Sequence, residues 1–321
     1  MKKIKLSVLS VLLFFVLSSN TKKEFQNSPK ALKGKITISG AFALYPLAVR
    51  WGEEFKKLHP EVSFDIQGGG AGKGMTDVLS GTVDLAMLSR DVKKEETDKG
   101  ARLFGVGKDA VVATYNPNNP FSKLILTKGV SKEEFAGIWV TKTIKTWGVL
   151  LGTTDKTEIN PFTRSDAAGA AESWAKYLGA KAQEDLKGIG VFGDPGLLGA
   201  VIKDKYAVGY NNIGFAYNLK TKKLNPGVGV IPIDLNGNNI IDTNEKVYDN
   251  LNTIMKAIAN GTYPAPPARQ LYFVSKNKPN ALTNAFLNWV LNEGQKYVNE
   301  MGYVKLNSTD LGKSKTNLIL K

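Results

Sequence analysis

A chain of 321 residues that is 42% hydrophobic can bury a sizeable core, and its length suits two domains or lobes, so disorder is excluded as the default. Its 43 Lys and Arg against 29 Asp and Glu give a formal charge of +14, which favours acidic partners; the lysines are scattered, however, and no basic block interleaved with aromatics points to nucleic acid. With no cysteine and one histidine, disulfides, thiol catalysis, cysteine metal sites and zinc catalysis by histidines are excluded.

Residues 1–19 read as a secretory signal: Lys2, Lys3 and Lys5 precede an apolar run from Leu6 to Leu17, followed by Ser18 and Ser19. The run is too short to span a membrane. An exported protein is expected, periplasmic or at the cell surface. Asn20 stands where a lipidated cysteine would have to be, so no acyl anchor can form on this sequence. Residues 20–34 are polar and Lys-rich and suit a flexible tether.

Order is expected from Lys35. Residues 35–40 alternate as a strand, and Tyr45, with Pro46 in the first turn, opens a helix that runs to His59-Pro60. His59 reads as a dipole-stabilised residue at that helix end. Residues 62–66 form the next strand, Met75, Val78 and Leu79 space as a helix face, and residues 83–88 form a third strand. This order predicts an open α/β sheet with ligand loops at the C-terminal ends of its strands. Residues 109–115 read as a buried strand, and the break at 116–120 is placed as the crossing to a second lobe. Lobe 1 is thus expected over 35–114, lobe 2 over 115–254, and the return to lobe 1 over 255–321. Ser131 with Glu134 marks a capped helix start. A strand before Arg164, a helix from Ala170 to Gly179 and the segment 207–216 complete lobe 2. Residues 271–275 are a returning strand, covered by an amphipathic helix from Leu282 to Val298.

Two glycine-rich segments, residues 67–74 and 164–170, each open a predicted helix. Helix openings carry unpaired N–H groups and the positive end of the macrodipole, so two of them meeting in a cleft would hold an anion, with Arg164 as a bidentate grip. A nucleotide loop is a poor fit, because Gly72-Lys73 is followed by Gly74 where a metal-binding hydroxyl is required. Residues 234–245 follow the pattern of a twelve-residue calcium loop, with Asp234, Asn236, Asn238, Ile240, Asp242 and Glu245 as candidate ligands of a structural ion. Asn239 replaces the usual glycine there, and Asn tolerates the left-handed conformation. The same segment also reads as a polar turn.

Residues 39–46, the first glycine run with Val83-Asp84 downstream, Arg164-Ser165-Asp166 with Gly169, and Val208-Gly209-Tyr210 together bring a family into view. From Lys35 to about Asn307 the chain resembles periplasmic phosphate-binding proteins, the substrate receptors of phosphate ABC importers. The resemblance implies a type II periplasmic binding protein fold, two α/β lobes joined by two crossings that close like a hinge. It assigns ligand binding to Ala43, Leu44 and Tyr45, with the amides of Leu44 and Tyr45 as donors, and to Ala71 and Gly72. Arg164 matches the family's phosphate-binding arginine and Asp166 the carboxylate that orients it. Ala168, Gly169 and Ala170 match a Ser-Gly-Thr, and Ala71 a serine, so hydroxyl donors are missing. The family's proton-accepting Asp aligns with Ser89 or Arg90, which weakens the reason to reject sulfate, molybdate or tungstate. No cofactor is required, the partners are inorganic phosphate or a related oxyanion and the permease subunits, and the receptor is expected to be a monomer that does not bind nucleic acid. A secreted phosphate-ester hydrolase and a calcium-dependent adhesion protein are the readings of other classes.

Overall fold

The computed structural model describes residues 31–320; the signal segment and the tether up to residue 30 lie outside them. Eleven strands are found among the described residues: β1 (Gly34–Gly40), β2 (Val62–Gly68), β3 (Leu85–Leu88), β4 (Ala101–Tyr115), β5 (Val130–Ser131), β6 (Asn160–Arg164), β7 (Ile189–Val191), β8 (Ala207–Asn212), β9 (Gly229–Val230), β10 (Ile233–Asp234) and β11 (Ala268–Lys276). Nine of them share one sheet in the order β2-β1-β3-β11-β4-β8-β6-β7, with β9 beside β4. β1, β2 and β3 run parallel at one end, β8, β6 and β7 run parallel at the other, and β11 and β4 lie antiparallel between them. Helices pack on the sheet because apolar side chains recur at their i, i+3 and i+4 positions, as in the helix Tyr45–Leu58, which buries Leu47, Ala48, Trp51 and Phe55.

Two cores divide the described chain into two lobes. The first gathers Ile36, Trp51, Phe55, Met87, Phe104, Phe273 and Phe286. The second gathers Val112, Phe135, Trp139, Trp174, Tyr210 and Ile254. This is the α/β, two-lobed architecture that the sequence led us to expect. His59 ends the helix Tyr45–Leu58, its amide donating to the Phe55 carbonyl. The Ser131–Glu134 capping box forms, with the Glu134 amide on the Ser131 hydroxyl and the Glu134 carboxylate on the Ser131 amide.

Three boundaries differ from expectation. The first crossing is not at 116–120 but inside β4: Phe104 and Val106 belong to the first core and Ala110 to Ala113 to the second. The polar break is a turn within lobe 2, closed by Asn116 and Asn119 side chains that accept from the amides of Asn118 and Phe121. The return falls between Ala268 and Leu271, not at 255, because the helix Leu251–Asn260 buries Leu251, Ile254, Ala257 and Ile258 in the second core, which Ala268 still joins. The expected helix from Leu282 to Val298 is broken into Ala281–Leu291 and Lys296–Glu300. The break seats the Gly294 carbonyl on the Trp51 indole N–H at 2.8 Å and sends the buried Gln295 carboxamide to the carbonyls of Val106 and Val290.

Aromatic packing holds the second lobe, where Trp174 stacks on Tyr210 with ring centres 5.8 Å apart and meets Trp139 edge-on at 5.7 Å. The Trp139 indole donates to the Phe162 carbonyl at 3.1 Å, whereas the buried Trp174 Nε1 has no partner among the described residues. Trp139→Phe is therefore expected to destabilise by roughly 1–2 kcal/mol more than Trp174→Phe in urea unfolding, since only the first loses a buried hydrogen bond. Equal losses would mean that the bond contributes nothing net.

Candidate functional site

The interlobe cavity is approached only by loops that leave the C-terminal ends of strands: 41–43 after β1, 69–71 after β2, Ser89 after β3, 165–169 after β6, 192–194 after β7, and Asn212 at the end of β8. The cavity is small: its free space, counted together with the open solvent at its mouth, is about 150 Å³, too little for a nucleotide. Ala41, Phe42, Ala43, Gly70, Ala71, Ser89, Arg164, Ala168, Gly169, Ala170, Asp194 and Asn212 line it.

Local geometry aims the donors. Gly40 has φ +130°, a conformation closed to side chains, and its carbonyl accepts from both Gly69 and Gly70 at 2.9 and 3.1 Å. That double bond anchors the glycine run, so Gly70, at φ +88°, turns Ala71 to face the cavity at the start of the helix Ala71–Ser80. On the facing lobe, Gly169 and Ala170 open the helix Gly169–Tyr177. Among the described residues, the amides of Phe42, Ala43, Ala71, Gly169 and Ala170 have no protein acceptor. The two glycine-rich helix openings therefore meet in space, as the sequence suggested.

Several individual assignments change. The amides of Leu44 and Tyr45 fold back onto the carbonyls of Ala41 and Phe42, and neither residue lines the cavity; the donors on this loop are Phe42 and Ala43. The Gly72 amide donates across the cleft to the Ala167 carbonyl at 3.0 Å, so it joins the lobes instead of facing the cavity. The Ala168 amide is taken by the Gln183 carboxamide at 2.9 Å. Arg90 points away: Glu96 holds its guanidinium at 2.6 and 2.8 Å, and its Nε lies 3.4 Å from Glu172 of the other lobe. Burial pushes Arg90 down, but these carboxylates outweigh it and hold the guanidinium above its ordinary pKa. Ser89 remains at the cavity.

Arg164 is placed as the sequence implied. Asp166 takes its Nε and Nη2 at 2.7 and 2.5 Å, and Asp194 takes Nη1 at 2.6 Å, leaving two of the five N–H donors of a guanidinium. Asp166 also accepts from the Gly193 amide. Burial opposes the charge on Arg164, yet Asp194 and Asp166 raise its pKa. Phe42 of the first lobe lies under this guanidinium, ring centre 5.6 Å from Cζ, and meets Phe192 edge-on at 6.1 Å. Lys176 pairs with Asp91 at 2.8 Å across the same boundary. These contacts describe a closed cleft.

Phe42, Asp194 and Asn212 were missed from sequence. A signal for Asp194 existed: Gly193-Asp194-Pro195 opens the helix Gly193–Lys203 behind β7, a third helix start aimed at the same place. The 234–245 loop closes on itself. Asp234 accepts from the amides of Gly237 and Asn239, Glu245 from those of Leu235 and Asp242, while the Asn236 and Asn238 carboxamides reach Asp242 and Ile240 is exposed. Asn239 takes the left-handed conformation, φ +63°. Among the described residues no group of three or more His, Asp or Glu could hold a metal ion, a donor set that leaves out the Asn and main-chain oxygens of the expected calcium loop.

A polar cavity closed by loops from two lobes defines a bilobed protein that binds a small ligand in its cleft. The chain belongs to the PBP superfamily, whose domain model matches residues 26–293. It is 26% identical over 317 residues to the phosphate-binding protein PstS of Bacillus subtilis, covering 95% of each chain. It is 26% identical over 305 residues to PstS of Pseudomonas aeruginosa, covering 88% of this chain and 86% of that one. An ABC-type phosphate transport receptor from Vibrio cholerae superposes with a TM-score of 0.63 at 22% identity, over 85% of this chain and 100% of that one. Among the described residues no helix is long and apolar enough to cross a membrane.

Two predictions follow from the closed cleft and its surroundings. The three atoms nearest to a Cβ on Gly72 all belong to Ala167 of the facing lobe, the first at 2.5 Å, and the position is helical without positive φ. Gly72→Ala should keep or raise the thermal midpoint of the anion-free protein, since Ala favours helix, while weakening anion binding at least tenfold by obstructing closure. Behind the site, burial pushes the Asp109 carboxyl up to about 7, against the opposing pull of Arg269. A raised carboxyl stabilises below its unfolded pKa and loses that contribution as pH rises through the folded one. Wild-type stability relative to Asp109→Asn should therefore fall from pH 4 to pH 8, by up to about 4 kcal/mol in urea unfolding. A difference that does not change with pH would contradict the shift.

Proposed function

We propose that this protein is the extracytoplasmic substrate-binding receptor of an ABC importer, that it captures inorganic phosphate between its lobes, and that it delivers the ion to a permease as a monomer. The observation that carries this reading is the convergence of acceptor-free amides from helix openings of both lobes, with two spare Arg164 donors, on one small polar cavity. An anion satisfies donors from both sides at once only when the cleft is shut, so binding shifts the lobes toward the closed form. The relatives named as phosphate-binding proteins support phosphate as the ion. They are binding proteins by name, which favours a receptor over a phosphate-ester hydrolase.

Asp194 supplies a carboxylate at the cavity in the absence of one at Ser89. A carboxylate accepts the proton of monohydrogen phosphate and repels an oxyanion that has none, which favours phosphate over sulfate, molybdate or tungstate. Calorimetric titration of the anion-free protein with these four ions tests the reading. Phosphate should bind at least 100-fold more tightly than sulfate, and Arg164→Ala should lose most of the affinity while still melting cooperatively, at a lower midpoint because Asp166 and Asp194 lose their buried partner. Retained phosphate affinity in that variant, or preference for a fully ionised oxyanion, would reject it.

A further inference from the structure

Arg269 stands on β11, paired with Asp109 of β4, where the two crossings between the lobes run side by side. Its side chain is 7% exposed and lies outside the cavity lining. From there its guanidinium reaches into the second lobe. One Nη donates to the Gly169 carbonyl at 3.3 Å; the other donates to the Asn212 carboxamide oxygen and lies 3.4 Å from the Asp109 carboxylate. Asn212 sends its Nδ2 to Asp194 Oδ1 at 2.7 Å and its main-chain amide to the same oxygen at 3.3 Å. The other oxygen of Asp194 holds Arg164. An unbroken path of hydrogen bonds thus leads from the crossings to the arginine of the cavity, and a branch ends on the first residue of the helix Gly169–Tyr177.

The chemistry of the carboxamide gives the path a direction. A primary amide presents a donor at one end and an acceptor at the other, and Asn212 is 2% exposed, so water does not readily supply a missing partner. With Nδ2 on Asp194, its Oδ1 requires a donor, and Arg269 is that donor. Without Arg269 the oxygen is left unpaired, and a flipped amide would set oxygen against the Asp194 carboxylate. Arg164 would then lose the fixed partner that orients its free donors.

We propose that Arg269 is a positioning residue for anion capture: from the interlobe crossing it fixes the Asn212 carboxamide and the Gly169 carbonyl, and through them the Asp194–Arg164 pair and the helix opening that face the ion. This inference rests on the receptor reading. Lys keeps the charge but offers a point donor in place of a planar fork, so it does not span Asn212 and Gly169 together.

The test titrates anion-free wild type, Arg269→Lys, Asn212→Ala and the double variant with inorganic phosphate, alongside thermal melts without ligand. Arg269→Lys should weaken phosphate binding tenfold or more with its ligand-free midpoint within a few degrees of wild type. The double variant should be no more than about threefold weaker than the weaker single variant, because both substitutions break one path. Phosphate affinity unchanged in Arg269→Lys, or losses that multiply in the double variant, overturns the positioning role while wild-type binding leaves the receptor reading intact. A wild type that does not bind phosphate removes both.

Discussion

An unpaired backbone N–H at a helix opening must find an acceptor, and here those of Phe42, Ala43, Ala71, Gly169 and Ala170 are left to one small cavity. Much else in the architecture serves that requirement. Parallel strands at both ends of the sheet deliver their C-terminal loops to the same place, Gly40 takes a conformation no side chain tolerates in order to anchor the glycine run, and the lobes touch through Gly72 and Ala167. Donors of this kind have no alternative geometry to relax into. They are fixed by strands and helices whose own stability comes from two separate aromatic cores.

Side-chain charge around the cavity is arranged to hold, more than to attract. Arg164 and Arg269 are surrounded by the carboxylates of Asp166, Asp194 and Asp109, so the buried network is not a positive hole. An incoming anion is met mainly by dipoles that cost nothing to reorient, and by the two donors Arg164 keeps free. The formal charge of +14 comes largely from lysines scattered along the sequence. It does not identify the site.

Much of this was legible in the sequence because backbone conformation is written in glycine and proline. The alternation of 35–40, the glycine run that follows β2 and the opening at Gly169 placed the strands, the loops and the facing helix starts, and Arg164 with Asp166 lay close enough in sequence to be read as a pair. What failed depended on contacts between distant segments. Arg90 looked like a ligand until Glu96 and Glu172 were seen around it, and the amides of Leu44 and Tyr45 were withdrawn by a turn whose closure periodicity does not encode. The break at 116–120 resembled a boundary because turn-forming Asn and Pro mark turns within a lobe as readily as crossings between lobes.

The crossing through β4 limits the kinds of motion open to the molecule. β4 and β11 lie hydrogen-bonded side by side where the first core gives way to the second, with one extra residue on β4 between Gly105 and Gly107 opposite Tyr272 and Leu271. Val304 adds a third partner at this place, exchanging amide–carbonyl bonds with Lys108 of β4 at 2.7 and 3.0 Å, and an irregularity of the kind seen at Val106 increases the local twist. Any relative movement of the lobes has to be carried by these bonded segments. An opening carried by them would separate, and on closing reunite, the same pair of faces in the same register.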